Sequence, residues 1–255
     1  MAKRSKAPRK KAPVVQATRP RPWGTVAAVA AVVVFAAGVF GFVYVEYDSG
    51  RDERAALARY TPSADNRDPS RQIEGVVMEE PASAGHVAPD QRVAYQASPP
   101  LGGPHDGIWA DCAGTVYETP VRTENMVHSM EHGAVWVTYD PAVLTRAALE
   151  SLSGRVEGQQ YTMLSHYPGL ESPVTLQSWG HQLGVERADD PRIDQFVQAL
   201  KVNQYTHPEV GATCDIPPDS FDPADPPPFD PTAPGPDAVP LDFDAGRGSD
   251  ASGGG

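Results

Sequence analysis

Met126-Val127-His128-Ser129-Met130-Glu131-His132 runs directly into Gly133-Ala134-Val135-Trp136-Val137-Thr138-Tyr139, and the reading of these fourteen residues decides the middle of the chain. The second half alternates and is rich in β-branched and aromatic side chains, which marks a strand. The first half has two readings. Extended, it points Met126, His128, Met130 and His132 to one face and Glu131 to the other; helical, it still sets His128 and His132 on a shared face at four-residue spacing. The imidazoles converge either way. Thioether and imidazole ligands together suit copper(I), and less specifically zinc.

Outward from this stretch, Asp140-Pro141 reads as a helix start, with Val143, Leu144, Ala147, Ala148 and Leu152 as its apolar stripe and Gly154 as its stop. Strands follow around 161–165 and 174–179, and the turn at Pro168-Gly169 predicts a hairpin between them. Asp190-Pro191 opens a second helix, whose Ile193, Phe196, Val197 and Leu200 form a stripe for the sheet. The pieces predict an α+β fold: one mixed domain over residues 71–215, with a mainly antiparallel sheet and two helices.

Residues 25–45 carry no charge and reach about 32 Å as a helix, enough to cross a bilayer. The 1–24 segment before them holds Lys3, Arg4, Lys6, Arg9, Lys10, Lys11, Arg19 and Arg21 and no acid, so the positive-inside bias places the amino terminus in the cytoplasm and the rest outside. Trp23, Tyr44 and Tyr47 are placed as interface anchors. The apolar run is too long for a signal peptide and has no small-x-small cleavage site before Glu46, which favours a retained anchor. Polar residues 46–70 read as a stalk with at most one short helix, and the Pro/Asp/Gly-rich residues 216–255 as a disordered acidic tail.

The chain has 21 basic and 33 acidic side chains, and removing the eight basic residues before the span leaves 13 against 33. Such a surface repels phosphate backbones and argues against nucleic acid as a partner. Both cysteines, Cys112 and Cys214, lie on the exported side, where a disulfide is the economical reading and no C-x-x-C spacing supports a thiolate metal site.

Several stretches carry a likeness to a known family: His86, Tyr95, Pro99-Pro100-Leu101-Gly102-Gly103-Pro104-His105, Trp109, Tyr117, Val127-His128-Ser129-Met130-Glu131-His132-Gly133 and Ser178-Trp179-Gly180. Over roughly residues 72–212 the chain resembles the Domain of Unknown Function 3105 family, bacterial and often actinobacterial proteins with an amino-terminal membrane segment and an exported domain. The family's usual second motif has leucine at the place of Met130. The resemblance therefore implies His86, His105, His128, Glu131 and His132 as the polar signature, and it implies no activity.

Three accounts of these residues follow. In the first, His105, His128 and His132, joined by His86, Met126 or Met130, bind a transition metal, copper before zinc. In the second, the histidines and Glu131 form a hydrogen-bonded network in a scaffold or interaction module for another envelope protein. In the third, His128-x-x-Glu131-His132 follows the order of the inverted zinc peptidases, whose motif needs a long helix where this chain turns at once to strand. Ser129 has no nucleophile elbow, and Gly102-Gly103 lacks the lysine and helix of a phosphate loop. Binding is favoured over catalysis.

Overall fold

The computed structural model describes residues 22–244, so the basic residues before Pro22 lie outside the described part. Contacts divide the chain into two units, residues 1–54 and 55–255. The first is dominated by helix α1, Trp23–Leu57, which among the described residues is the one helix long and apolar enough to cross a membrane. Its Val, Phe and Tyr side chains are exposed on all sides, as in Phe35 and Phe40 at 74%, a distribution that suits lipid rather than water. The helix also overruns the expected span. Residues 51–57 (Arg-Asp-Glu-Arg-Ala-Ala-Leu) are mostly good helix formers, and Asp48 pairs with Arg51 across one turn at 3.8 Å, so the expected stalk continues the helix instead of breaking it.

The second unit is built on a six-stranded mixed sheet. Its strands are β1 (Val76–Met78), β4 (Ala113–Val116), β5 (Val135–Tyr139), β6 (Thr162–His166), β7 (Val174–Ser178) and β8 (His181–Val185), in the spatial order β1-β8-β7-β5-β6-β4. The joins β1–β8, β8–β7 and β7–β5 are antiparallel and β5–β6 and β6–β4 parallel, so the sheet is mostly antiparallel. Helices α2 (Thr123–Glu131), α3 (Arg146–Val156) and α4 (Arg192–Leu200) complete it, with a two-stranded parallel ribbon of β2 (His86–Val87) and β3 (His105–Asp106). The domain is thus α+β, with one helix more than expected.

Strand β5 divides the interior in two, because its alternation sends successive side chains to opposite faces. Val135, Val137 and Tyr139 join Leu152 and Val156 of α3 and Phe196 and Leu200 of α4 in one core. Trp136 joins Met126, Val127 and Met130 of α2, with Cys112, Met163 and Cys214, in the other. Each core has its own helices, and the sheet separates them.

Several local expectations change. No hairpin joins β6 to β7: β5 lies between them, parallel to one and antiparallel to the other, and β7 makes its hairpin with β8. That turn is Trp179-Gly180, with Gly180 at φ 71° and room for no Cβ, which would lie 2.7 Å from the Glu79 carbonyl. Asp140-Pro141 forms a turn in which Asp140 Oδ1 accepts from Ala142 N at 2.8 Å; α3 starts five residues later, where Thr145 Oγ1 accepts from Ala148 N. The helix then runs through Gly154 to Val156. Asp190 Oδ1 accepts from Arg192 N at 2.9 Å, but α4 starts one residue later than expected, with Pro191 at the N-cap position and Arg192 as the first helical residue.

Two segments expected outside the domain belong to it. Tyr60, read as stalk, is 2% exposed in the α3/α4 core, and Arg67 O accepts from Asn203 Nδ2 at 2.8 Å. The proline-rich tail is not extended as far as residue 244: Arg122 N donates to Pro227 O, Val239 N to Arg92 O and Ala94 N to Val239 O. Phe229 packs on Tyr167 at 4.8 Å and Val239 is buried with Val87 and Val93. Composition predicts disorder where apolar anchors are lacking, but Phe229, Val239, Leu241 and Phe243 supply them at intervals. Residues 245–255 of the expected tail lie outside the described part.

Cys112 and Cys214 are joined in a buried disulfide, 102 positions apart in sequence. Closing a loop of that length stabilises the fold by about 4 to 5 kcal/mol in the chain-entropy model. The Cys112→Ser, Cys214→Ser double variant is expected to lower the free energy of urea unfolding by that order, and reductant is expected to do the same to the wild type. Asp68 gives the domain an acid dependence. Burial pushes its carboxyl up, but His181, the Ser70 hydroxyl and Arg71 more than offset this and hold it at about 2. A carboxyl held low stabilises when ionised, so its contribution is complete above the ordinary value near 3.8 and is lost as pH falls through about 2. It amounts to about 2 kcal/mol, and Asp68→Asn is expected to remove that part of the slope when denaturation midpoints are compared between neutral and acidic buffers.

Candidate metal centre

Four chain segments build the site. The β2–β3 ribbon pairs His86 with His105 in register, bringing their ring centroids to 5.0 Å. Helix α2 supplies His128 and Glu131, which at three-residue spacing share its face, and His132 caps its end. The stretch before the disulfide supplies Glu209, and Thr213 at its end lies beside the ring of His132. His128 is the hub: its ring lies 5.0 Å from His86, 4.7 Å from His105 and 4.7 Å from His132.

Backbone carbonyls orient the rings. His105 Nδ1 lies 2.8 Å from Gly103 O, His128 Nδ1 2.6 Å from Asp106 O and His132 Nδ1 2.8 Å from Thr213 O. A carbonyl only accepts, so each Nδ1 carries the proton, and in a neutral ring Nε2 is left with its lone pair. This is the arrangement in which outer-shell partners present imidazole to a metal. His128 is held down to about 3, first by burial and then by the neighbouring His105 and His132 rings, against the opposing Asp106 carbonyl. His132 is also lowered, chiefly by burial. His128 is therefore neutral and ligand-ready near pH 7.

Glu131 is where structure and expectation part. On a strand it would face away from the histidines; on the helix its Oε2 reaches 2.8 Å from His105 Nε2, with both side chains buried. The contact is out of line for a hydrogen bond, and each of the two atoms is left buried without such a partner. Ligand atoms of His86, His105, His128 and Glu131 all lie within 4.8 Å of one another, as do those of His128, His132 and Glu209. His132 Nε2 and Glu209 Oε2 are 3.1 Å apart.

The thioethers lie apart from the imidazoles. Two positions along a helix turn a side chain by about 200°, so Met126 and Met130 face away from His128 and are fully buried in the Trp136 core. Their expected role as ligands rested on the extended reading. Ser129 is likewise structural, donating to Ala110 O at 2.8 Å. The inverted-peptidase order His128-x-x-Glu131-His132 does lie on a helix, contrary to expectation, but a nine-residue one that ends at Glu131.

Of the tryptophans read as core or interface aromatics, Trp109 packs against His128 and His132, and Trp179 stands edge-on to His105. Glu209 and His207 were not anticipated. His207 Nδ1 donates to Glu131 O at 3.0 Å, and its Nε2 lies so near Gly133, at φ 93°, that a Cβ there would stand 2.9 Å away. No spacing rule links either residue to α2, whereas the i, i+3, i+4 relation of His128, Glu131 and His132 was available as a helical signal.

The model of the family described as a protein of unknown function, DUF3105, matches residues 86–216, a span that takes in every residue of both clusters. No curated protein and no solved structure matches the chain. The chain belongs to the DUF3105 family.

Proposed function

We propose that this is a membrane-anchored domain that binds one divalent transition-metal ion through His105, His128, Glu131 and His86, on the outer side of the membrane. The observation that carries the reading is the meeting of Glu131 Oε2 and His105 Nε2. His105 Nε2 and Glu131 Oε2, both buried, face each other at 2.8 Å without a hydrogen bond aligned between them, and a cation seated among the ligand atoms would relieve the cost of leaving them so. Three imidazoles and a carboxylate, without sulfur, suit zinc(II) or copper(II). The case for copper(I) loses its support with Met126 and Met130. The anchor is α1, and the basic residues before it together with the buried disulfide support an extracytoplasmic domain.

Equilibrium dialysis of the full chain in detergent against zinc(II) and copper(II) tests this. One ion per chain is expected at micromolar free metal, with affinity reduced at least about hundredfold by His128→Ala and by Glu131→Gln. Wild-type protein that retains no metal would replace the proposal with the scaffold account, in which the histidines only order the loops. The topology is tested by labelling single cysteines placed before Trp23 and after Leu57 in a chain lacking Cys112 and Cys214. A membrane-impermeant thiol reagent added to intact cells is expected to modify only the second.

A further inference from the structure

Beside the four-ligand set stands a second one, His128, His132 and Glu209, and the two share a residue. We propose that the domain offers its ion two seats, an inner one of His86, His105, His128 and Glu131 and an outer one of His128, His132 and Glu209, and that the ion passes between them on His128 Nε2. This rests on reading the inner set as a metal site.

The sharing follows from the tautomers. His128 Nδ1 is occupied by the Asp106 carbonyl, so only Nε2 is open, and one lone pair binds one ion. The seats are therefore filled in turn, never together. Their exposures differ: the Glu209 side chain is 46% exposed and that of Glu131 5%. A hydrated ion meets Glu209 first and keeps part of its water there, whereas the inner carboxylate lies in the interior. His132 is already oriented for the outer seat by Thr213 O.

The exchange is balanced in charge. Moving inward, the ion gives up one imidazole, His132, and one carboxylate, Glu209, and gains two imidazoles, His86 and His105, and one carboxylate, Glu131, so the number of carboxylates is unchanged. No proton or electron has to move, and His128 stays bound throughout. His86, exposed and beside His105, completes the inner set and is what the outer set lacks. This makes the inner seat the tighter of the two.

Rapid mixing of the full chain in detergent with cobalt(II), followed by its visible absorption, reads loading; a chase with EDTA reads release. One cobalt per chain is expected in the wild type, with Glu209→Gln slowing both loading and release about tenfold and Glu209→Asp, which keeps the carboxylate, recovering most of the rate. Wild-type rates in Glu209→Gln overturn the outer seat while leaving the inner one standing. Two cobalt ions bound at once overturn the shared nitrogen. Loading slowed more by His86→Ala than by Glu209→Gln overturns the proposed route, since entry past His86 then dominates. A wild type that takes no cobalt, zinc or copper removes the inner site itself, and the outer seat falls with it.

Discussion

Hydrogen bonds from ring nitrogens to the carbonyls of Gly103, Asp106 and Thr213 are the constraint on which the site depends. Each is a modest interaction, but each decides which face of an imidazole is donor and which is lone pair. Were the three rings free to flip, the cluster would be a set of histidines in contact. With the carbonyls in place, Nε2 is the nitrogen left for other partners: that of His105 stands 2.8 Å from Glu131 Oε2 and that of His132 3.1 Å from Glu209 Oε2. The direction of those carbonyls is set by backbone, so the chemistry of the site is a consequence of the fold.

Each carbonyl is itself fixed by a separate device. Asp106 lies on the β2–β3 ribbon, and its carboxylate is held by Arg122 and by the amide of Ile108. Gly103 is backed by the tail, where Leu241 stands close enough that a Cβ on that glycine would meet it at 3.2 Å. Thr213 is the residue before Cys214, so the disulfide positions the carbonyl that orients His132. The proline-rich segment and the disulfide, which look remote from chemistry in the sequence, thus support the geometry of the rings.

Much of the frame was legible. The β5 alternation, the α4 stripe, the apolar span and the cysteine pair each rest on one local rule, and each is present. Position in the sheet was not legible, because the order β7-β5-β6 arises when a crossover through α3 brings β6 parallel to β5, and the turn at Pro168-Gly169 carries no information about what lies between its flanking strands. The histidines were visible as ligand types, but their company was undecided while Met126–His132 had two readings. Strand geometry joins sulfur to the imidazoles and excludes Glu131; helix geometry reverses both. Short segments beside a strand are where periodicity is weakest, and here the tertiary fit of Met126, Val127 and Met130 into the Trp136 core settled the matter.

The cluster is hard to explain by stability alone. His105, His128 and Glu131 are all buried, and His86 and Trp109 press against His128. Removing such groups from water is costly, and apolar side chains of similar volume are often as stable or more so. The domain has such an alternative at hand, since the Trp136 core lies directly behind the same helix and is filled by Met126, Val127 and Met130. One face of α2 is thus packed as an ordinary core, while the other keeps imidazoles aimed by backbone carbonyls and a carboxylate facing a ring nitrogen without a proton aligned between them. Structural pairing would be met by a linear His–Glu hydrogen bond. Here the two atoms meet off that line, and this is the observation on which the metal proposal rests.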